Sequence, residues 1–221
     1  MYGTRAPLLF QQVSKFPTRL FFKVFHNLDI QGLENLKSLE KSGVILASNH
    51  ISDWDPVLIS ATLPVWSPHM PLFFVSREKT FYEDDGTESL GKIKQYIYGG
   101  AFFRLMGAYP AVGGIKDYEK SLHHHLSILN ENKTVCIFPS GKIRTGEKDL
   151  DKTKGGVGFL AQKTGRTVIP VGIKRQGRSI TVIFGTPLEY KDIFNDGEAI
   201  TADSCKVGAR VIMAAVENLL S

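Results

Sequence analysis

The strongest constraint on the fold is the stretch from residue 44 to residue 62, which combines a buried strand, a turn and a helix. Residues 44–47 form a continuous apolar run, Val-Ile-Leu-Ala, typical of a strand in the core of a sheet. Pro56 is favoured at the first position of a helix, where its missing N–H has no partner to lose, and Asp55 before it is a suitable N-cap. We therefore predict a strand that ends just before His50, followed by a helix from Pro56 onward.

The rest of the chain repeats this alternation of short apolar strands and helices. Further strands are predicted at residues 28–33, 72–75, 109–112, 134–138, 168–173 and 179–184. Further helices are predicted at residues 116–130, 155–164 and 202–220. Such alternation predicts an α/β fold with a mixed, largely parallel central sheet flanked by helices. We divide the chain into an N-terminal amphipathic segment, residues 1–27, and a main domain, residues 28–221.

Composition narrows the classes of function. The chain has 221 residues, of which 43% are apolar, and this suits a single α/β domain. Its two cysteines and the lack of a signal-peptide pattern indicate a reducing compartment. A net charge of +5 suits anionic lipids, phosphate-bearing substrates, an acidic carrier protein or nucleic acid. Nucleic acid is disfavoured because the sequence has no recognition motif and no dense Lys/Arg run. No apolar stretch approaches the roughly 20 residues that span a bilayer.

The N-terminal segment has the pattern of an amphipathic helix. Apolar side chains fall on one face, while Lys15, Arg19 and Lys23 recur on the other. Pro17 is expected to start a second helix or to kink the first. Aromatic residues opposite cations predict an interfacial membrane helix; the alternative is a terminal helix packed on the core with its charged face in water. The candidate membrane-binding residues are Phe10, Val13, Leu20, Phe21, Phe22 and Phe25.

His50 and Asp55 are the strongest candidates for chemistry. His50 follows a strand and Asp55 opens a helix, so a single turn can bring the two side chains together. A carboxylate that accepts a hydrogen bond from one imidazole nitrogen fixes the tautomer and leaves the other nitrogen free to take a proton. Asp53 is a rival partner for the ring. The alternative interpretation is a surface histidine beside an ordinary helix cap.

Three consecutive histidines, His123, His124 and His125, lie within the predicted helix 116–130. Consecutive helical residues point in different directions, so these side chains cannot converge on one metal ion. We predict a solvated face with one packed ring, and no metal site.

Three segments at the ends of predicted strands carry a family resemblance. They are Asn49-His50 with Asp55, which form a His-x4-Asp motif, then Phe138-Pro139-Ser140-Gly141, and then the Val-Ile-Pro-Val-Gly run of residues 168–172. In this order and spacing they resemble three of the four sequence blocks of the glycerolipid acyltransferases. The branch that they resemble most is the 1-acylglycerol-3-phosphate acyltransferase family.

The resemblance implies transfer of a fatty acyl group from an acyl thioester to the hydroxyl of a lysophosphatidic-acid-type acceptor, in phospholipid biosynthesis. It implies that His50 is the general base and that Asp55 orients its ring. No cofactor is expected beyond the donor substrate, which is acyl-CoA or an acyl carrier protein. The expected location is the cytoplasmic face of a membrane, with peripheral or monotopic attachment. A lysophospholipid with a larger head group is the runner-up acceptor.

The block that should bind the acceptor departs from the family pattern. Relatives have Phe-Pro-Glu-Gly-Thr-Arg, whereas this chain has Ser140 in place of the Glu, and Arg144 stands one place later than the family's arginine. Residues 107–114 hold no arginine where relatives have one, and Arg77 stands where relatives often have a lysine. Turn N–H groups around Gly141 are candidate oxyanion donors. The expected substrate-binding residues are Arg77, Ser140, Gly141, Lys142 and Arg144; the alternative is a solvated basic loop.

Two further functions stay open at this level. Ser140 could be a covalent nucleophile that works with His50 and Asp55 in a lipid hydrolase or transacylase, although the chain lacks a Gly-x-Ser-x-Gly elbow. The same scaffold could also be a non-catalytic lipid-binding protein.

Overall fold

A sheet of seven strands organises the part of the chain that the computed structural model describes, which is residues 3–37, 39, 43–77, 101–112, 117–143 and 153–221. Of Arg77, Ala101 and Phe102 only the backbone is described. The strands are β1 (Asn27–Gln31), β2 (Ile45–Ser48), β3 (Phe73–Arg77), β4 (Ala108–Ala111), β5 (Val135–Ile137), β6 (Val168–Gln176) and β7 (Ser179–Phe184). The helices are α1 (Arg5–Phe25), α2 (Glu34–Lys37), α3 (Asp55–Thr62), α4 (Ala101–Leu105), α5 (Tyr118–Ser121), α6 (His123–Asn130), α7 (Gly156–Thr164), α8 (Tyr190–Ile193) and α9 (Ala202–Asn218).

The strand order is β1-β7-β6-β2-β5-β3-β4, and every neighbouring pair is parallel except β6 and β7. This confirms the predicted mixed, largely parallel sheet. β2 lies at the centre, between β6 and β5, and Ile45, Leu46 and Ala47 are completely buried. A strand covered on both faces needs a continuous apolar run instead of an alternating one, which explains the sequence of residues 44–47.

Helices cover both faces of the sheet and divide the core into two layers. Phe22 of α1 packs with Leu58 and Ile59 of α3 on one face. Leu160 of α7 packs with Ile212 of α9 on the other face. Successive residues of the central strands alternate between the two layers, as the pleat requires. The turn between His50 and Asp55 therefore joins a central strand, β2, to α3, a helix of the α1 side.

The structure differs from the prediction in one helix that is divided and in one helix that was not expected. The helix expected at residues 116–130 is divided into α5 and α6, because Leu122 leaves the helical conformation (φ −112°, ψ 20°) and its side chain is buried in the core. The short helix α8 was not predicted, and a reciprocal capping box between Glu189 and Asp192 stabilises it.

α1 is a single helix that contains Pro17, so the predicted start of a second helix at this residue is wrong. Tertiary contacts on both sides of the proline hold the helix together. Before Pro17, the Gln11 side chain donates to the Leu72 and Met106 carbonyls (both 2.8 Å) and accepts from the Leu72 N–H (2.9 Å). After it, the ring of Phe22 is buried in the core.

The orientation of α1 corrects two sequence-based expectations. Lys15, predicted on the solvated face, is buried, and its Nζ donates to the Pro64 carbonyl at 3.1 Å. Burial, with a smaller contribution from the nearby Arg19 charge, lowers the pKa of Lys15 to about 8. Phe22, predicted to bind a membrane, is only 5% exposed because it packs into the core. Among the other candidates Phe10 is half-buried, and the exposed ones are Val13, Leu20, Phe21 and Phe25.

None of the described helices is both long enough and apolar enough to cross a bilayer. The division at residue 27 stays a prediction, although α1 packs closely against α3.

The histidine run behaves as predicted, with one packed ring. His125 is completely buried, while His123 is exposed. The Nε2 atom of His125 lies 3.4 Å from the Phe74 carbonyl oxygen. Burial lowers the pKa of His125 to about 4, an effect that the Phe74 carbonyl partly opposes. The neutral ring is therefore a part of the folded state near neutral pH.

We expect His125 to make folding stability depend on pH. Because the pKa of His125 is lower in the folded than in the unfolded chain, its contribution is complete above about pH 6.5 and is lost as the pH falls towards 4. The loss between pH 7 and pH 4.5 is about 2 kcal/mol. Urea unfolding of the wild type and of His125→Leu at both pH values measures it. An equal loss of stability in both proteins would contradict the prediction.

Candidate active site

The three sequence blocks meet at one edge of the sheet because of the strand order. β5 and β6 flank β2 and run parallel to it, so the carboxyl ends of all three strands lie side by side. His50 follows β2 and Phe138 follows β5, while Ile173 lies within β6 beyond its pairing with β2. In α/β proteins, ligands bind at the carboxyl ends of the strands. The arrangement therefore marks this edge as the candidate active site.

His50 and Asp55 are in direct contact. Nδ1 of His50 lies 2.7 Å from Oδ2 of Asp55. The same oxygen accepts hydrogen bonds from the backbone N–H groups of Ile51 (2.7 Å) and Ser52 (2.9 Å). An ionised carboxylate can only accept hydrogen bonds, so Nδ1 of His50 carries the hydrogen. In the neutral ring Nε2 is then unprotonated. Asp55 is 2% exposed and His50 is 18% exposed, which leaves the ring accessible while its partner is buried.

Asp55 does not cap the helix, contrary to the prediction from sequence. α3 begins at Asp55 itself, with Trp54 at the N-cap position, and no side chain caps the helix end. The carboxylate turns back towards the preceding loop because three donors of that loop occupy it. Asp53, the rival partner, is exposed, and the His50 contact is made by Asp55.

Two neighbouring side chains hold the histidine in place. The ring of Phe138 stacks on that of His50, with centroids 4.2 Å apart and planes inclined by 22°. The Asn49 amide pairs with the backbone of Ile173 in β6: Nδ2 donates to its carbonyl (2.8 Å) and Oδ1 accepts from its N–H (2.7 Å). Asn49 therefore connects the turn by two hydrogen bonds to β6, the strand that neighbours β2 in the sheet. Both residues belong to the recognised blocks, but their positioning roles depend on contacts between strands that no local pattern reveals.

The turn after β5 places Ser140, Gly141 and Lys142 at the same edge. Ser140 is 6% exposed, and its hydroxyl donates to the Lys142 carbonyl at 2.8 Å. Gly141 adopts a left-handed conformation (φ 63°), and its N–H donates to the Phe138 carbonyl at 2.9 Å. That N–H is therefore engaged within the turn, and the proposal of oxyanion donors around Gly141 stays a prediction for the neighbouring N–H groups.

Of the three cations that the sequence predicts to bind the substrate, Lys142 has a described side chain. The Lys142 side chain is exposed beside the turn. The backbone of Arg77 ends β3 at the same edge, paired with Ala111, and Arg144 lies outside the described residues.

A further cation, Lys154, was not identified from the sequence. Its N–H donates to the Pro139 carbonyl at 2.9 Å, and its side chain lies over Gly141. A Cβ atom built on Gly141 would come within 2.9 Å of the Lys154 Nζ. The lysine side chain could move aside, so the left-handed conformation of the backbone (φ 63°) is what favours glycine at this turn. Lys154 stands thirteen positions after Gly141, so no spacing rule connects the two.

Comparison with known proteins assigns the chain to a family. A sequence profile of the family described as Acyltransferase matches residues 27–174, about two thirds of the chain. Among solved structures, the chain is similar to the crystal structure of the 1-acyl-sn-glycerophosphate (LPA) acyltransferase, PlsC, from Thermotoga maritima. The TM-score is 0.62 and the sequence identity 22%, over 95% of this chain and 79% of that one, so this likeness concerns the fold. With three sequence blocks gathered at one sheet edge and a profile match that includes all of them, the protein belongs to the acyltransferase family.

Proposed function

We propose that this protein transfers a fatty acyl group from an acyl thioester to the hydroxyl of a lysophosphatidic-acid-type acceptor, with His50 as the general base. The observation that carries the proposal is the 2.7 Å contact between His50 Nδ1 and the buried Asp55 carboxylate. It leaves Nε2 as the proton-accepting atom of an accessible ring. The family supplies the reaction class, and this contact supplies the residues.

The chemistry needs little more than one placed base. As the acceptor hydroxyl attacks the thioester carbon, its proton passes to Nε2 of His50 and the new C–O bond forms. The tetrahedral intermediate then expels the thiolate by breaking the C–S bond, and the thiolate takes the proton from Nε2. A thiol with a pKa of about 8.5 is already a good leaving group. Asp55 stabilises the imidazolium between the two steps, and a base of this kind contributes about 10²–10⁴ in rate.

The acceptor phosphate fits the cations around the turn after β5. Lys142 is exposed there, and Lys154 lies over Gly141. Arg144 and Arg77 complete the proposed set by their positions in the sequence. A phosphomonoester carries nearly two negative charges, and Arg can engage two of its oxygens at once. The Ser140 hydroxyl donates a hydrogen bond to the Lys142 carbonyl, so the geometry gives no support to a covalent mechanism through Ser140.

We also propose that α1 attaches the enzyme to the cytoplasmic face of a membrane. Five apolar residues recur every three or four positions and are each more than half exposed; this apolar stripe consists of Leu9, Val13, Phe16, Leu20 and Val24. The stripe lies on the side of the helix opposite to the buried Gln11 and Lys15. A helix that turns polar groups inward and apolar groups outward has its apolar side available to lipid.

Replacing the catalytic pair should abolish or slow the reaction without unfolding the protein. His50→Ala should lower kcat by at least about 10²-fold because it removes the base. Asp55→Asn keeps an acceptor oxygen but removes the charge that stabilises the imidazolium, so kcat should fall by about 10²-fold. Asp53→Asn, an exposed change in the same turn, is the matched control and should be nearly silent. Thiol release measures the rates, and circular dichroism verifies the fold. A folded His50→Ala protein with wild-type turnover would refute the assignment.

The acceptor preference can be measured with the same assay. Lysophosphatidic acid should be a better acceptor than lysophosphatidylcholine, lysophosphatidylethanolamine or glycerol 3-phosphate. Lys142→Ala, Arg144→Ala and Lys154→Ala should each raise the acceptor KM by about tenfold and leave the donor KM nearly unchanged, since each removes a charge-assisted contact. Lys163→Ala, whose Nζ pairs with Glu119 instead, is the control. If all three variants keep the acceptor KM, this turn does not bind the phosphate. A preference for the larger head groups would point to the runner-up acceptor.

Removing the apolar stripe should release the protein from vesicles. Deletion of α1 is unsuitable as a test because it would expose the core around Phe22. Val13→Ser, Phe16→Ser and Leu20→Ser combined should weaken binding to anionic vesicles at least about tenfold, since each inserted side chain contributes about 1–2 kcal/mol. Val207→Ser with Val211→Ser, on the exposed side of α9, is the matched control. Equal sedimentation of both variants with vesicles would contradict membrane binding through α1.

A further inference from the structure

Trp54 lies inside the catalytic turn, between His50 and Asp55, and is 64% exposed. Trp66 follows α3 and is 93% exposed. They are the two tryptophans of the chain. Two large aromatic side chains near the two ends of one short helix thus leave most of their surface in water. Their position relative to α1 indicates what they contact.

α1 packs against α3, and two contacts relate the tryptophans to different sides of α1. Midway along α1, the Gln12 side chain donates to the Val65 carbonyl, next to Trp66. Towards the end of α1, Phe21 lines a cavity of about 170 Å³ together with Trp54. Gln12 and Phe21 are nine residues apart, which places them on opposite sides of the helix. Trp54 and Trp66 therefore flank the apolar stripe of α1 on opposite sides.

The charges around these residues favour a lipid surface over a protein partner. α1 contains four cations and no acidic residue. Arg5, Arg19 and Lys23 are exposed beside the stripe. A row of apolar side chains edged by cations fits a bilayer that contains anionic lipid, and tryptophan is enriched at the depth of the lipid head groups.

We propose that Trp54 inserts into the same bilayer as the apolar stripe, so that the catalytic turn itself rests on the lipid surface. This inference depends on the proposed membrane attachment of α1. Trp54 is four residues from His50, and Ile51 and Asp55 of the same turn line the cavity beside it. Insertion of Trp54 holds His50 at head-group depth, where a membrane-embedded acceptor presents its hydroxyl. The acceptor then reaches the base while its acyl chain stays in the membrane. Trp54 is thus a positioning residue.

Tryptophan fluorescence tests the insertion directly. Trp66→Phe leaves Trp54 as the single tryptophan. With vesicles of phosphatidylglycerol and phosphatidylcholine, its emission should shift to shorter wavelength, and brominated lipid should quench it. The matched control carries Trp54→Phe, Trp66→Phe and Val207→Trp, which places the single tryptophan on α9, on the other side of the sheet. Its emission should not change.

Every outcome of this experiment either supports or overturns the insertion of Trp54 into the bilayer. A shift for Trp54 with no shift in the control supports the inference. If the protein sediments with vesicles while Trp54 emission stays constant, α1 binds lipid and the inference is overturned. If the protein does not sediment with vesicles, both the inference and the membrane attachment fall, while thiol release with a detergent-solubilised acceptor still tests acyl transfer separately.

A kinetic measurement separates positioning from a structural role. Trp54→Ala should raise the KM for a vesicle-borne acceptor severalfold more than the KM for the same acceptor in detergent, and Trp54→Phe should restore most of the loss. Equal effects of Trp54→Ala in vesicles and in detergent would indicate a structural role and overturn the inference.

Discussion

The buried carboxylate of Asp55 is the interaction on which the candidate site depends. One oxygen accepts from the His50 ring and from two backbone N–H groups of the turn, and the side chain is 2% exposed. The negative charge of Asp55 also acts on a neighbouring strand. Burial in the first place, and the Asp55 charge in the second, raise the pKa of the Cys136 thiol in β5 far above its ordinary value. A buried charge without its donors would cost several kcal/mol, so the turn closes around the carboxylate. Satisfying Asp55 and orienting His50 are the same structural event.

The sheet order turns this local event into a site. Since β2 lies between β5 and β6, the turn that follows it has a neighbour on either side. Phe138 after β5 stacks on the imidazole, and Ile173 of β6 pairs with the Asn49 amide. The stacked Phe138 ring thus holds the His50 ring on one side. The two hydrogen bonds of the adjacent Asn49 hold the backbone of the turn, so the motion of the imidazole is restricted while the ring stays accessible. A base on a fixed ring is the main requirement of acyl transfer to an alcohol.

α1 shows how a helix can be attached to a domain by its polar side. Gln11 satisfies three backbone groups at 2.8–2.9 Å, and Lys15 bonds to a carbonyl although burial lowers its pKa to about 8. Buried polar groups of this kind are tolerated because each has a partner. The consequence is an outward apolar stripe beside the exposed Trp54 and Trp66. The same packing arrangement places the end of α1 at one cavity with the turn between His50 and Asp55, which connects the proposed membrane contact to the proposed chemistry.

The sequence by itself determined the α/β class, the strand that precedes His50, the helix that follows, and the block pattern that carries the family. These features depend on residues within a few positions of one another, where periodicity and backbone preferences act directly. Tertiary structure decided that Asp55 and not Asp53 contacts the ring, that Lys15 and Phe22 face inward, and that Lys154 covers Gly141. Asn49 and Ile173 are 124 positions apart, and Gln11 and Leu72 are 61 apart. An amphipathic pattern defines the two sides of a helix, but which side is buried depends on the partners that distant parts of the chain present.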